Sequence, residues 1–320
     1  MRKKIKISLI ITTFNREKNI FKILNLLLKQ VSVKEELEII ICDSFSKNKL
    51  RILSYKELFK KLNVIYLESK INHQAFKRNL AAKKSSGKNI IFIDDDCFPS
   101  NKFLSEHLKK LNLNRKKEIY CGLVKYFKYN HIANLIRYRD SRLVSFNNDS
   151  HGNIPVKNFI SMNMSLNSEI LKTEKLLFDN RFRFYGFEDF EFAFRFNNRF
   201  KFILNHGLIY HMDDRNFSEF LEKHYYLGRI GIADIIKINL LSAKHSIFYK
   251  LEKNSFINLF INIPYIKYFL KVLHLLIIKI EKHIFFYLPA IYKFGILIAY
   301  LRGFSDRYAQ NFYKNSSWYR

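Results

Sequence analysis

Three adjacent carboxylates, Asp94-Asp95-Asp96, follow the apolar run Ile90-Ile91-Phe92-Ile93. A buried strand that ends in acids places them at the carboxyl edge of a sheet, where open α/β folds bind ligands. In extended backbone Asp94 and Asp96 point the same way, as i and i+2 neighbours. Paired hard oxygens suit Mg²⁺ or Mn²⁺, which can bridge two phosphates. Three neighbouring carboxylates also repel one another, so without a cation the arrangement costs stability. A solvated acidic turn is the plainer alternative.

Other stretches carry weaker signals. Thr12-Thr13-Phe14-Asn15-Arg16 offers hydroxyls, an amide and a guanidinium at a strand end, and Arg16 can contact a phosphate bidentately. On its own the stretch reads better as a helix start capped by Asn15. In Cys42-Asp43-Ser44-Phe45-Ser46-Lys47-Asn48, Asp43 can accept a hydrogen bond from a base N–H, and a cap is again the plainer reading. Lys77 and Arg78 can face phosphates or form a solvated basic face. Tyr185-Gly186-Phe187-Glu188-Asp189-Phe190-Glu191 opens a helix with Phe187, Phe190 and Phe194 toward the core. Glu188, Glu191 and Arg195 would then share the opposite face, with Glu191 and Arg195 spaced to pair. Acidic residues in a first helical turn are favoured by the helix dipole, but a carboxylate walled by aromatics also suits a general base. His211, ending an apolar run before Met212-Asp213-Asp214, is a candidate third metal ligand or acceptor contact.

The elements that must position these residues follow from periodicity. Residues 5–14, 37–42, 63–67 and 89–93 read as buried strands, and 17–30, 49–62 and 74–86 as helices, the last ended by Gly87. That alternation predicts a parallel α/β sheet. The basic, apolar start MRKKIKISLIITTF imitates a signal peptide but reads instead as the first strand. Further on, 118–128 and 157–166 read as strands of a mixed extension, 186–198 as a helix and 202–211 as a strand. From about 217 the pattern is helical, basic and aromatic.

The formal net charge of +28 over 320 residues implies an anionic partner, substrate or membrane surface. Lys is enriched together with Asn, Ile and Phe, so the charge carries less meaning than a local arginine cluster would. Cys42, Cys97 and Cys121 form no CxxC pair, which argues against a disulfide framework or a zinc site and fits a reducing cytoplasm. In the tail, Ser255–Ile266 is too short to span a bilayer, and Ile284–Leu301 contains Pro289 and Lys293. Lys267, Lys271, His274, Glu281 and Lys282 are expected on one side of an amphipathic helix. Such a helix suits lying on a membrane surface; packing in a helical subdomain on the catalytic head, or an oligomer interface, is the plainer alternative.

The order of these signals resembles the family 2 glycosyltransferases, whose fold is GT-A. ISLIITTFNR is similar to the family's first strand and nucleotide loop, and CDSFSKN to its base-contacting loop. KRNLAAKKSSGKNIIFIDDD is similar to its helix, turn and metal strand, FDNRFRFYGFEDFEFAFR to its acceptor loop, and HMDD to its late histidine. The resemblance spans about 5–215 and implies a Rossmann-like, mostly parallel mixed α/β sheet with a C-terminal helical extension. It implies a catalytic domain over 1–216, with a nucleotide half to about 100 and an acceptor half after it, and an extension over 217–320. The implied activity is inverting transfer from a nucleotide diphosphate sugar, a UDP-sugar foremost. The implied acceptor is a glycan or lipid-linked molecule of surface-polysaccharide synthesis, reached at the inner face of the plasma membrane. Thr12, Thr13, Phe14, Asn15, Arg16, Asp43, Lys77, Arg78, Asp94 and Asp95 would bind the nucleotide. Asp94, Asp96 and His211 would hold Mn²⁺ or Mg²⁺, Asp189 would act as base, and Glu188 would position the acceptor. The family often has Pro where Thr12 stands and Gly where Phe45 stands.

Two other readings compete. Nucleotidyl transfer on a related sheet predicts a glycine-rich basic loop after the first strand, and TTFNRE lacks one. A nucleic-acid-binding module predicts basic and aromatic residues interleaved along a groove, which leaves the acidic triplet without a role. No nucleic-acid partner is therefore expected.

Overall fold

The computed structural model describes residues 6–30, 37–47, 56–143, 152–174, 176–182, 186–261 and 263–307. Asn48, the start of the helix expected from 49, and Tyr185 lie outside these residues.

In chain order the first elements are β1 (Ile7–Thr13), α1 (Glu17–Leu28), β2 (Leu37–Asp43), α2 (Lys56–Lys61), β3 (Val64–Glu68), α3 (Gln74–Lys84), β4 (Asn89–Asp94) and β5 (Cys97–Pro99). Next come α4 (Phe103–Leu111), β6 (Glu118–Tyr126), α5 (Ala133–Asp140), β7 (Asn163–Asn167), α6 (Ile170–Thr173), α7 (Glu188–Phe196) and β8 (Lys201–His211). The tail holds α8 (Phe217–Tyr226), a π-helical turn (Leu227–Gly231), α9 (Ile232–Ile238), α10 (Leu240–His245), α11 (Ile247–Lys253), α12 (Ser255–Ile261), α13 (Pro264–His283) and α14 (Pro289–Asp306).

The chain divides into two compact units. The first comprises Met1–Phe127, Arg142–Asn180 and Phe192–Asp213; the second comprises Lys128–Ser141, Arg181–Glu191 and Asp214–Arg320. Two segments from the first two thirds of the chain thus belong with the helical tail.

The first unit is built on an 8-stranded sheet ordered β3-β2-β1-β4-β7-β6-β8-β5. β1, β2, β3 and β4 run parallel, β7 is antiparallel to β4 and β6, β6 runs parallel to β8, and β5 is antiparallel to β8. β1 and β2 are buried along their whole length, as their largely apolar runs require between two helical layers. One side packs Ile20, Ile23, Leu24 and Leu27 of α1 with Phe103 and Leu104 of α4. The other packs Ala75, Ala81 and Ala82 of α3 with Phe178, Phe192 and Phe196.

Gly87 is needed for a different reason from the one expected. α3 ends at Lys84, and a Cβ on Gly87 would lie 2.6 Å from the backbone nitrogen of Ser8. The glycine permits close approach rather than a left-handed cap. The strand expected over 157–166 begins only at Asn163, because Val156–Asn158 form a 3₁₀ turn.

β6 and β8 slip register between Gly122 and Leu123. Asn163 of β7 fills this bulge, donating from Nδ2 to the carbonyls of Leu123 and Gly207, both at 2.8 Å. Its Oδ1 lies 3.0 Å from His107 Nε2, and His107 Nδ1 lies 2.8 Å from Ser165 Oγ. Burial pushes the His107 imidazole down to about 4, so it stays neutral in this cluster.

The second unit is helical. α8 opens with a reciprocal capping box between Asn216 and Glu219. The π-helical turn brings α14 close: a Cβ on Gly228 would lie 2.1 Å from the Tyr300 carbonyl oxygen, and one on Gly303 1.9 Å from that of Tyr225. Arg307 donates to the carbonyl of Gly228 at 2.6 Å and to Glu252, whose carboxylate also accepts from Tyr300 at 3.0 Å. A buried carboxylate is tolerable here because it is both paired and hydrogen-bonded.

Among the described residues no single helix is long and apolar enough to cross a membrane. Ser255–Ile261 and Tyr265–His283 meet that test only together, across an 88° bend. The five residues expected on one side of α13 do not all face solvent: His274 is buried and Glu281 half-buried, while Lys267, Lys271 and Lys282 are exposed. Leu270 and Ile277 are buried beside His274, so the turned-in face follows a 270–274–277–281 stripe. Glu281 is fixed there by the Tyr292 hydroxyl at 3.1 Å.

Candidate active site

The carboxyl ends of β1, β2 and β4 lie side by side, with Thr13 opposite Asp43 and Thr12 opposite Asp94. Sheet order alone therefore gathers three of the stretches singled out in the sequence.

The loop after β1 turns on Asn15, whose φ is 55°, and the loop after β2 turns on Phe45, whose φ is 54°. Asn15 joins them. Its backbone N–H donates to Ser46 Oγ at 2.7 Å, and its side-chain oxygen accepts from the Lys47 N–H at 2.9 Å. Asn15 is thus a bridge between loops rather than a helix cap; α1 is entered through Arg16 without a side-chain cap. Gly is the residue that suits the backbone of Phe45, and an aromatic there carries strain. Asp43 is fully buried, accepting from Ser46 Oγ and from the Tyr66 hydroxyl, each at 2.5 Å.

β4 stops at Asp94, and the chain turns through Asp95 and Asp96 before β5. The extended alternation expected for the three acids does not continue, and each has its own partners. Asp94 accepts from Arg78 Nη2 at 2.7 Å, and the Arg78 guanidinium lies 5.1 Å from the Phe178 ring centroid. Asp95 turns inward, accepting from Thr13 Oγ1 at 2.8 Å and from Arg16 Nη1 at 2.9 Å. Asp96 accepts from the same Arg16 nitrogen at 2.6 Å, and its other oxygen lies 3.4 Å from His211 Nε2. Burial pushes the Asp95 carboxyl up to about 6 against the pull of Arg16. Burial opposes ionisation of Asp96 too, but His211 and Arg16 outweigh it and hold that carboxyl below the usual range.

Lys77 is also buried. Its ammonium donates to the Thr13 carbonyl at 3.0 Å and to Asn72 Oδ1 at 3.2 Å, so it braces the β1 loop from beneath. Burial lowers its pKa although Asp95 and Asp43 work the other way.

His211 reaches Asp96 through β5, an element the sequence reading lacked. Cys97 of β5 pairs with His211 at the end of β8, and the Met212 N–H donates to the Asp96 carbonyl at 2.8 Å. The Tyr126 ring centroid lies 5.0 Å from that of His211.

Among the described residues, Asp96, Cys97 and His211 form a group able to hold a metal ion, with ligand atoms within 4.8 Å of one another. Asp94, paired with Arg78, is not in it. Octahedral ligands about 2.1 Å from an ion stand roughly 3 Å apart when adjacent. The 3.4 Å between Asp96 and His211 fits that spacing. A hard ion prefers their oxygen and nitrogen to the thiol of Cys97, which burial keeps protonated. Asp96 and His211 therefore fit Mn²⁺ or Mg²⁺.

Glu188 and Asp189 fall in the second unit, at the start of α7. The approach is bent, with φ of 111° at Gly186 and 65° at Phe187. A Cβ on Gly186 would lie 2.1 Å from Leu227, and Phe187 packs near Phe248 and Gly231. Glu188 accepts from the Gly186 N–H at 2.9 Å, and Glu191 accepts from Asn239 at 3.1 Å. Glu188 and Glu191 are buried, whereas Phe187, Phe190 and Phe194 are only half-buried. The fully buried aromatics of α7 are Phe192, whose ring lies against those of Phe159 and Phe178, and Phe196, whose ring lies against that of Phe192. Arg195 donates to the carbonyl of Leu177 at 2.6 Å.

Sequence reasoning missed Ser46, Tyr66, Cys97 and Tyr126. Only Ser46 left a signal, since a hydroxyl three residues after an aspartate at a strand end is turn chemistry.

The family described as Glycosyl transferase family 2 matches residues 8–173. Poly(ribitol-phosphate) beta-N-acetylglucosaminyltransferase TarS of Staphylococcus aureus is 30% identical over 122 residues, 36% of this chain and 21% of that protein. The matched segment thus spans about a fifth of that curated relative. The crystal structure of S. aureus TarS 1–349 with UDP-GlcNAc superposes with a TM-score of 0.52 at 16% identity, covering 97% of this chain and 93% of that one. The mannosyltransferase PcManGT from Pyrobaculum calidifontis, solved with GDP-Man and Mn²⁺, gives a TM-score of 0.57 at 14% identity, covering 94% and 86%. At these identities the likeness is one of fold.

Proposed function

Because the chain belongs to glycosyl transferase family 2 and has the GT-A fold, we propose that it is an inverting glycosyltransferase using a UDP-sugar. Its acceptor is a hydroxyl of a glycan or lipid-linked molecule in surface-polysaccharide synthesis. The catalytic domain is assigned to 1–216 and the extension to 217–320, acting at the inner face of the plasma membrane. The observation that carries this reading is the Asp94–Asp96 turn, with Arg78, Arg16 and His211 each beside one or more of its carboxylates.

In this reading Thr13, Phe14, Asn15 and Arg16 meet the nucleoside. Asp43 and Lys77 hold the loops in shape from behind. Arg78 and Asp94 lie near the ribose and diphosphate. Asp96 and His211 would hold a divalent cation, which would supply positive charge beside the leaving nucleoside diphosphate. The acceptor oxygen attacks the anomeric carbon opposite the diphosphate, the carbon–oxygen bond to the diphosphate breaks, and Asp189 takes the acceptor proton. A single displacement inverts the anomeric centre. Glu188, fixed by the Gly186 N–H, orients the acceptor. The name of the S. aureus relative favours an N-acetylglucosamine donor for the first trial.

The test is binding and slow hydrolysis of UDP-GlcNAc, other UDP-sugars and GDP-mannose, with and without Mn²⁺, for the parent and Asp96→Ala. Metal-dependent binding of one donor, lost in the variant, supports the reading. Failure of every donor to bind the folded parent overturns it.

A further inference from the structure

The outer surface of α13 is apolar where a water-facing helix should be polar. Tyr265, Tyr268, Phe269, Val272, Leu275 and Leu276 are all exposed, Tyr265 at 85%. At about 100° per residue these positions form one face, directly opposite the turned-in Leu270–His274–Ile277–Glu281 stripe. The outer side is therefore unlike a water-facing surface: it carries aromatic and aliphatic side chains, while two of the turned-in positions, His274 and Glu281, are polar. The inner polar groups suit their place. Burial and Arg302 hold the His274 imidazole down at about 4, and the half-buried Glu281 accepts from Tyr292. Nothing in this packing calls for apolar groups outside.

The apolar surface continues beyond the helix. Phe256 and Leu259 of α12 are exposed, and Phe285 after α13 is 95% exposed. Lys267, Lys271 and Lys282 border the α13 face along one side, Lys279 sits within it, and Lys293 is exposed on α14. Exposed aromatics beside a row of lysines form the pattern of an interfacial helix, with rings in the acyl boundary and ammonium groups among anionic headgroups. The charge also selects the occupant. A second copy would bring the same lysines together in a chain of net charge +28, whereas an anionic bilayer neutralises them. The apolar extent of α12 and α13 reaches the length of a bilayer only across an 88° bend, which suits helices lying on a surface rather than crossing it.

We propose that the outer face of α13, continued by α12 and Phe285, is the membrane-docking surface of this protein and that its partner is an anionic lipid bilayer. The inference deepens the surface association stated above and rests on it, but not on sugar transfer. Donor binding without vesicles and vesicle binding without donor are separate readouts, so either reading can fail alone.

The test is co-sedimentation of the full chain with vesicles of phosphatidylcholine alone or mixed equally with phosphatidylglycerol. The parent is expected to sediment with the mixed vesicles only, and to be released by salt as headgroup attraction is screened. Each lysine at an anionic surface is worth roughly a fivefold gain in partitioning. Lys267→Glu/Lys271→Glu/Lys282→Glu is therefore expected to lower partitioning by more than a hundredfold, and Phe269→Glu/Leu276→Glu to abolish it while donor binding stays intact. Tyr268→Trp guards against misfolding of those variants, since its fluorescence should shift to the blue and be quenched by brominated lipid only with anionic vesicles. Equal binding to neutral vesicles, or sedimenting Tyr268→Trp protein whose added fluorescence stays unquenched, overturns the proposal. So does a vesicle-free dimer that Phe269→Glu/Leu276→Glu dissociates, which would make the face an interface between copies.

Discussion

Asn163→Ala tests whether the β6–β8 bulge is held by one side chain. The substitution removes the donor to the Leu123 and Gly207 carbonyls and the oxygen beside His107 Nε2. All of this lies in a sealed region where Asn163, His107 and Ser165 are fully buried. A buried polar group left without a partner costs roughly 1–3 kcal/mol. Three such losses, taken toward the low end because a carbonyl keeps a second lone pair, come to about 4 kcal/mol. At about 2–4 °C per kcal/mol for a domain of this size, the melting temperature should fall by about 10 °C. Differential scanning calorimetry measures it, and Asn163→Asp separates the donors from the volume. Aspartate keeps the size but sets a carboxylate against two carbonyls, so it should do at least as much harm. A fall below about 2 °C for both variants would refute the claim that Asn163 pins the bulge.

Other outcomes follow from single positions. Phe45→Gly relieves a left-handed backbone that costs a residue with a Cβ about 1 kcal/mol, so thermal unfolding should move upward; an unchanged or lower melting temperature counts against strain at Phe45. Gly303→Ala drives a methyl into the Tyr225 carbonyl. It should destabilise the helical unit by about 3 kcal/mol, read by chemical unfolding, while Ser305→Ala on the same helix serves as a mild control. Burial lowers the His107 and His224 imidazoles from 6.5 to about 4. The unfolded chain takes up these protons first as pH falls, so stability should drop from about pH 6.5 toward pH 4. Melting temperature against pH in the parent and His224→Gln measures the slope, and an identical slope in the two would discount His224.

The half of the sheet that bears the candidate site was legible because its strands are largely apolar and α1 carries one clean apolar stripe. β1, β2 and β4 stand where their residues suggested, and parallel order alone sets Thr13 beside Asp43. Legibility ended where long-range pairing took over. β5 is too short to carry a period, yet it decides that His211 meets Asp96 and that Asp94 does not. Lys77 illustrates another limit, since a basic residue on a helix reads alike whether it faces a phosphate or a buried carbonyl. α7 places Phe at 190, 192, 194 and 196, so more than one helical face looks apolar. The rings of Phe159 and Phe178 select Phe192, and Phe196 packs against Phe192 in turn. Asn163 had no sequence signal, because its value lies in a bulge between two strands it does not belong to.

The pairing of Cys97 with His211 also sets an order of events during synthesis. A nascent chain that has not yet emerged past Lys201 already contains β1 to β4 and their loops, but not the strand that carries His211. β6 must meanwhile wait with one edge unpaired, since β8 fills that side. Contacts this distant in sequence form slowly, and an open strand edge is where neighbouring chains associate. The proposed cation-binding pair is therefore among the last features to mature, and pulse-labelled hydrogen exchange should show β8 amides gaining protection after those of β1 and β4. A ribosome-released fragment ending before β8 would carry the acidic turn without its histidine, so the same strand that completes the site also closes the window in which the unfinished sheet can aggregate.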